Sequence, residues 1–157
     1  MSSVWTADWA WSLPLTGLTL IIHGAAVIGI GVLVARVRML IEKRHVGRVA
    51  SALLAIAMLG VVGWMLAILL GLEAAIWAST YLLLHAIDSP ADAMLYSLGS
   101  LTTLGSPELM LEHHWRLMGT LEAANGVLLF GISTAFVATV LAELRTWIHR
   151  LADSGKQ

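Results

Sequence analysis

The stretch Ser89–Glu108, SPADAMLYSLGSLTTLGSPE, lies between two long apolar segments. It is too short and too mixed in polarity to be a further span. Ser89 is placed to cap a helix, Pro90 suits the first helical position, and Asp92 falls where a capping-box acid would. Ala91 to Leu101 then fits about three helical turns. Thr102-Thr103-Leu104-Gly105 follows, and the chain turns back at Ser106-Pro107. A short helix ending in Thr-Thr-hydrophobe-Gly between two apolar helices has the layout of a re-entrant loop. Non-helical backbone at membrane depth persists only where protein buries it or where it lines water. The rest of the chain is therefore read around this stretch.

The 157 residues are 59% hydrophobic and 12% charged, with a mean hydropathy of +0.85. Soluble domains carry about 25% charged residues. The expected class is an all-α integral membrane protein made of one membrane domain. The absence of cysteine excludes disulfides, thiolate metal sites and cysteine nucleophiles. No triad spacing, metalloprotease His pair or phosphate-cradling loop occurs, so the chain is not expected to be an enzyme and no cofactor is expected. The first residues, MSSVWTADWAWS, lack a basic n-region, and a cleaved signal peptide is not expected.

Three regions follow. Residues 1–48 comprise an interfacial segment with Trp5, Trp9 and Trp11, a first span over Pro14–Ala35 and a basic loop. That span is about 33 Å long if helical, enough for a hydrocarbon core of ~30 Å. His23 within it is expected to be a neutral side chain bonded to a neighbouring helix. Arg36–Arg48 holds five of the nine Lys and Arg residues. The positive-inside rule makes this loop cytoplasmic and places the N-terminus outside. Anionic lipid or topology explains these bases better than nucleic acid does.

Residues 49–142 are the second region, with an outer helix over 49–87, the short helix and loop over 89–108, and an inner helix over 115–142. Val49–Ile87 would reach about 58 Å as a helix, long for one span. It has no polar turn, and two crossings would put the C-terminal Arg145, Arg150 and Lys156 on the wrong side. One long helix is expected. Residues 143–157 are a cytoplasmic tail.

LYSLGSLTTLG followed by WRLMGTLEAANGVLLFGISTAF resembles the bacterial small potassium-channel-like proteins of the two-helix pore-loop ion channel superfamily. The matching positions run without a gap from Tyr96 to Phe136, and WASTYLLLHAI, Trp77–Ile87, looks like the end of that family's outer helix. The resemblance implies three transmembrane helices, with a re-entrant pore helix and filter loop between the second and third. It also implies four copies around one axis, lipid as surroundings, and K+ as permeant ion in a bacterial inner membrane. The filter departs from the family pattern. Gly105-Ser106-Pro107-Glu108 stands where the family has Gly-Tyr-Gly-Asp. Pro107 fixes φ and lacks an N–H, and Ser106 removes a wedging tyrosine. The expectation is a shortened or widened filter that excludes Na+ poorly; a non-conducting membrane scaffold or sensor subunit is the alternative.

On this reading Thr102, Thr103, Leu104, Gly105, Ser106 and Pro107 form the filter. Thr102 and Thr103 either ring the ion or simply cap the helix. Glu108 is either a carboxylate ring at the outer mouth or a solvated acid. His113 and His114 at that mouth are candidates for metal or proton binding, although adjacent helical positions chelate poorly within one subunit. Gly131 resembles an inner-helix hinge. Ile132, Ala135, Thr139 and Glu143 would then face the pore and gate, with plain helix packing and contacts to tail bases as the alternative. Glu73, Glu122 and Asn125 are buried supports. Glu73 is expected to accept hydrogen bonds from the pore helix or to be protonated, with an ion-path or proton-sensing role as the alternative. Glu122 is expected to brace the loop, with attraction of external cations as the alternative, and Asn125 to join Glu122. Beyond permeant K+ or Na+, no metal is expected.

Overall fold

A computed structural model describes residues 2–42, 48–105, 109, 111–112 and 115–154. Four helices follow one another: α1 (Ser2–Glu42), α2 (Arg48–Leu83), α3 (Pro90–Leu101) and α4 (Arg116–Ser154). Three of them are long and apolar enough to cross a membrane, over Ala7–Glu42, Val49–Leu83 and Arg116–Ile148. The outer surface agrees: Ile21, Ile28 and Trp64 are 72%, 70% and 69% exposed, a distribution suited to hydrocarbon.

Helix α1 begins well before the expected start at Pro14 and runs straight through that residue. The proline is tolerated at the expense of the hydrogen bond its missing N–H would have made. The helix also continues to Glu42, so Arg36 and Arg38 are helical. Helix α2 is a single element, because its interior lacks proline and polar breakers. It stops in a Schellman closure. The Ala86 N–H donates to the Tyr81 carbonyl at 2.9 Å and the His85 N–H to the Leu82 carbonyl at 3.1 Å. His85 occupies the left-handed position, φ 52°, where glycine is usual.

Helix α3 starts as its sequence suggests. The Asp92 N–H donates to the Ser89 hydroxyl at 3.4 Å, and Pro90 opens the first turn.

The chain divides into two compact units. One comprises residues 1–23 and 68–131, the other residues 24–67 and 132–157. In the first, Leu15, Trp77, Tyr81, Leu101, Met118 and Leu129 form the buried cluster. Two glycines of α4 let α3 approach closely. A Cβ on Gly126 would overlap the Leu101 carbonyl, and one on Gly119 would overlap the Tyr96 hydroxyl. Tyr96 meets Tyr81 edge-on, with ring centroids 5.3 Å apart at 83°. In the second unit Ile30, Val34, Val62, Leu66, Val140 and Trp147 are buried. There an added Cβ on Gly31 would meet the Phe136 ring at 3.4 Å.

Candidate functional site

The site is built at the C-terminal end of α3. Thr102 closes the helix. Its N–H donates to the Leu98 carbonyl at 3.0 Å, and its hydroxyl donates to the same carbonyl at 2.6 Å. Thr103 then takes a left-handed backbone, φ 60°, and its N–H donates to the Ser100 carbonyl at 2.9 Å. For a residue with a Cβ this conformation costs about 1–2 kcal/mol. Leu104 follows with its side chain exposed. The Gly105 N–H returns to the Gly99 carbonyl at 2.9 Å with φ 77°. The helix thus ends in a tight hook in which Gly105 supplies the second left-handed turn.

Thr102, Thr103, Leu104 and Gly105 are all exposed, and Leu104 is 85% exposed. An apolar side chain this bare is left largely uncovered by the described residues. The carbonyl end of α3 carries partial negative charge, which favours cations over anions nearby. Beside the hook lies a cavity of about 380 Å³ whose lining includes Tyr96, Ser100, Thr103, Gly105, Arg116 and Thr120. The Arg116 guanidinium Nε–H donates to the Leu111 carbonyl at 3.3 Å.

Behind the hook, buried polar side chains join the helices. Glu122 of α4 is fully buried. It accepts from the Ser97 hydroxyl of α3 at 2.6 Å and from the Tyr81 hydroxyl of α2 at 2.8 Å. One carboxylate therefore ties three helices together. Glu73 of α2 is equally buried, but its partner differs from the expected one: His23 Nδ1 of α1 lies 2.9 Å from Glu73 Oε1. Asn125 does not bond Glu122. Its side-chain Nδ2 donates to the Thr19 hydroxyl of α1 at 2.8 Å.

The role of α1 is what the sequence reading missed. Asp8, Ser12, Thr19 and His23 are each at most 3% exposed. Their spacings of four, seven and four place them on one helix face. That spacing was visible in the sequence. A polar stripe inside an otherwise apolar span was the available signal.

On α4, Ile132, Ala135, Thr139 and Glu143 are exposed, as is Gly131, around which an added Cβ would meet nothing within 4 Å. The helix continues unbroken through Gly131. The Glu143 carboxylate accepts from Arg38 of α1 at 3.1 Å. Ser106, Pro107, Glu108, His113 and His114 lie outside the described residues. Among the described residues, no group of three His, Cys, Asp or Glu side chains is placed to hold a metal ion.

No curated protein and no solved structure matches the chain. Residues 69–143 match the model of the family described as Ion channel, which takes in the end of α2, all of α3 and α4 as far as Glu143, and leaves out α1. Over those residues the chain is similar to that family.

Proposed function

We propose that the chain is one subunit of a passive cation channel in which the hook after α3 lines the ion path. The observation that carries this reading is the exposed Thr103-Leu104-Gly105 segment at the carbonyl end of α3, between two helices able to cross a membrane. One such hook cannot enclose a path, so copies must meet around a common axis, and four copies agree with the family. A bare Leu104 fits burial between neighbours in that assembly. The exposed stripe Ile132, Ala135, Thr139 and Glu143 is then the inner pore wall, with Ile132 able to gate by dewetting. The setting is a bacterial inner membrane with the N-terminus outside.

Ion selection is expected to be weak. A potassium filter uses successive backbone carbonyls to replace the hydration shell. Only Thr103-Leu104-Gly105 fits that pattern before Ser106-Pro107-Glu108 departs from it. K+ is the permeant ion proposed, with Na+ poorly excluded. Pro107 also favours a second reading, a channel-like scaffold that does not conduct.

Flux into proteoliposomes tests both. Comparable K+ and Na+ flux is the expected result. Strong preference for K+ would overturn the argument from Pro107. No flux of either ion would replace the channel with the scaffold.

A further inference from the structure

One contact of the helix outside the matched residues reaches α4 directly behind the hook. The Thr19 hydroxyl donates its hydrogen to the Leu15 carbonyl at 2.9 Å within α1. Its lone pairs are left to receive Asn125 Nδ2 at 2.8 Å. Both side chains are buried, Thr19 at 0% and Asn125 at 1% exposure. Asn125 Oδ1 has no hydrogen-bond partner among the described residues, so Thr19 is the contact that fixes this amide.

The next residue, Gly126, is where α4 presses on the backbone of Leu101, so closely that a Cβ would overlap the Leu101 carbonyl. Leu101 ends α3, and Thr102, Thr103 and the hook follow directly. Glu122, one turn earlier on α4, holds Ser97 of the same short helix. The position of α4 at Asn125–Gly126 is therefore transmitted to the hook by backbone contact, with no flexible side chain between.

We propose that Thr19 is a positioning residue for ion selection: its hydrogen bond to Asn125 fixes α4 against Leu101 and so sets the geometry of Thr103–Gly105. This deepens the channel reading and rests on it for the word selection. The positional effect itself has a readout that needs no conduction. The Thr103 and Gly105 amides donate to the Ser100 and Gly99 carbonyls, and their hydrogen exchange reports the hook.

The test compares Thr19→Val, which keeps the shape and removes the acceptor, with Thr19→Ser, which restores the hydroxyl. Exchange over residues 101–105 and the K+ to Na+ flux ratio are measured on the full chain in vesicles. With Thr19→Val, exchange is expected to rise several-fold, up to about tenfold, as for one lost buried hydrogen bond. The flux ratio is expected to move with it, and Thr19→Ser is expected to behave as the parent. Should Thr19→Val fail to fold, the double variant Thr19→Val/Asn125→Val leaves no orphaned polar group and is expected to show the same faster exchange. Unchanged exchange in a folded variant lacking the hydroxyl overturns the proposal, as does failure of Thr19→Ser to rescue. Absence of flux in the parent with the exchange effect present would overturn the channel reading and leave the positioning role standing.

Discussion

His23 Nδ1 and Glu73 Oε1 stand 2.9 Å apart with both side chains almost wholly buried, joining residues 50 positions apart in the chain. A pair of this kind stabilises little in total but makes either partner costly to remove alone. His23→Ala or Glu73→Ala alone takes this partner from a buried polar group and is expected to cost about 1–3 kcal/mol. The double change His23→Leu/Glu73→Leu is expected to recover most of that. Thermal unfolding in detergent across the four proteins of the cycle measures it, and strictly additive losses would contradict it.

Glu122 offers two acceptor oxygens to two hydroxyl donors. Glu122→Gln turns one of those oxygens into an NH₂ that faces a donor. A loss of about 1–3 kcal/mol is expected, against ~1 kcal/mol for Tyr81→Phe or Ser97→Ala, each of which removes one bond only. Unfolding midpoints of the three variants should fall in that order.

Gly119 and Gly126 face different obstacles. An alanine methyl at 119 meets the Tyr96 hydroxyl, while one at 126 meets the Leu101 backbone. Gly119→Ala is expected to cost about 1–3 kcal/mol and to be eased by Tyr96→Phe. Gly126→Ala has no side chain to move aside and is expected to damage α3 itself, seen as faster exchange at residues 99–105 and as lost assembly. Equal tolerance of both alanines would show that α3 and α4 adjust freely.

Arg38 and Glu143 form a partly exposed pair, with the Glu143 side chain half exposed. Such pairs are worth ~0–1 kcal/mol, so neither Arg38→Ala nor Glu143→Gln should move the melting temperature appreciably. Conduction is a sharper readout. In the proposed channel Glu143 stands at the inner mouth, where a carboxylate concentrates cations and Arg38 offsets it, so Glu143→Gln is expected to lower cation flux and Arg38→Ala to raise it. Both changes should shrink with added salt. Flux that rises with Glu143→Gln would remove Glu143 from the ion path.

What was legible locally came out of the sequence well. The Ser89-Pro90-x-Asp92 start, the 12-residue α3 and the single long α2 all depend on neighbours within a turn or two. The partners of Glu73, Asn125 and Glu143 did not, because they are remote. Asn125 bonds a residue 106 positions away and Glu143 one 105 away. Nothing near Asn125 in sequence distinguishes Thr19 from Glu122 as its partner. The polar stripe on α1 could be seen, but what it faced could not. The left-handed turn at Thr103 was hidden too, since a threonine gives no local sign of the conformation glycine usually takes.

The same remoteness bears on how the protein is made. During synthesis α1 leaves the ribosome with Thr19 and His23 facing an interior that does not exist yet. Asn125 is translated 106 residues after Thr19, on the order of ten seconds later at ~5–20 residues/s. Through that interval the nascent helix carries polar groups that lipid cannot satisfy. His23 meets Glu73 once α2 has been made, 50 residues on, whereas the Thr19 oxygen receives Asn125 only when α4 follows.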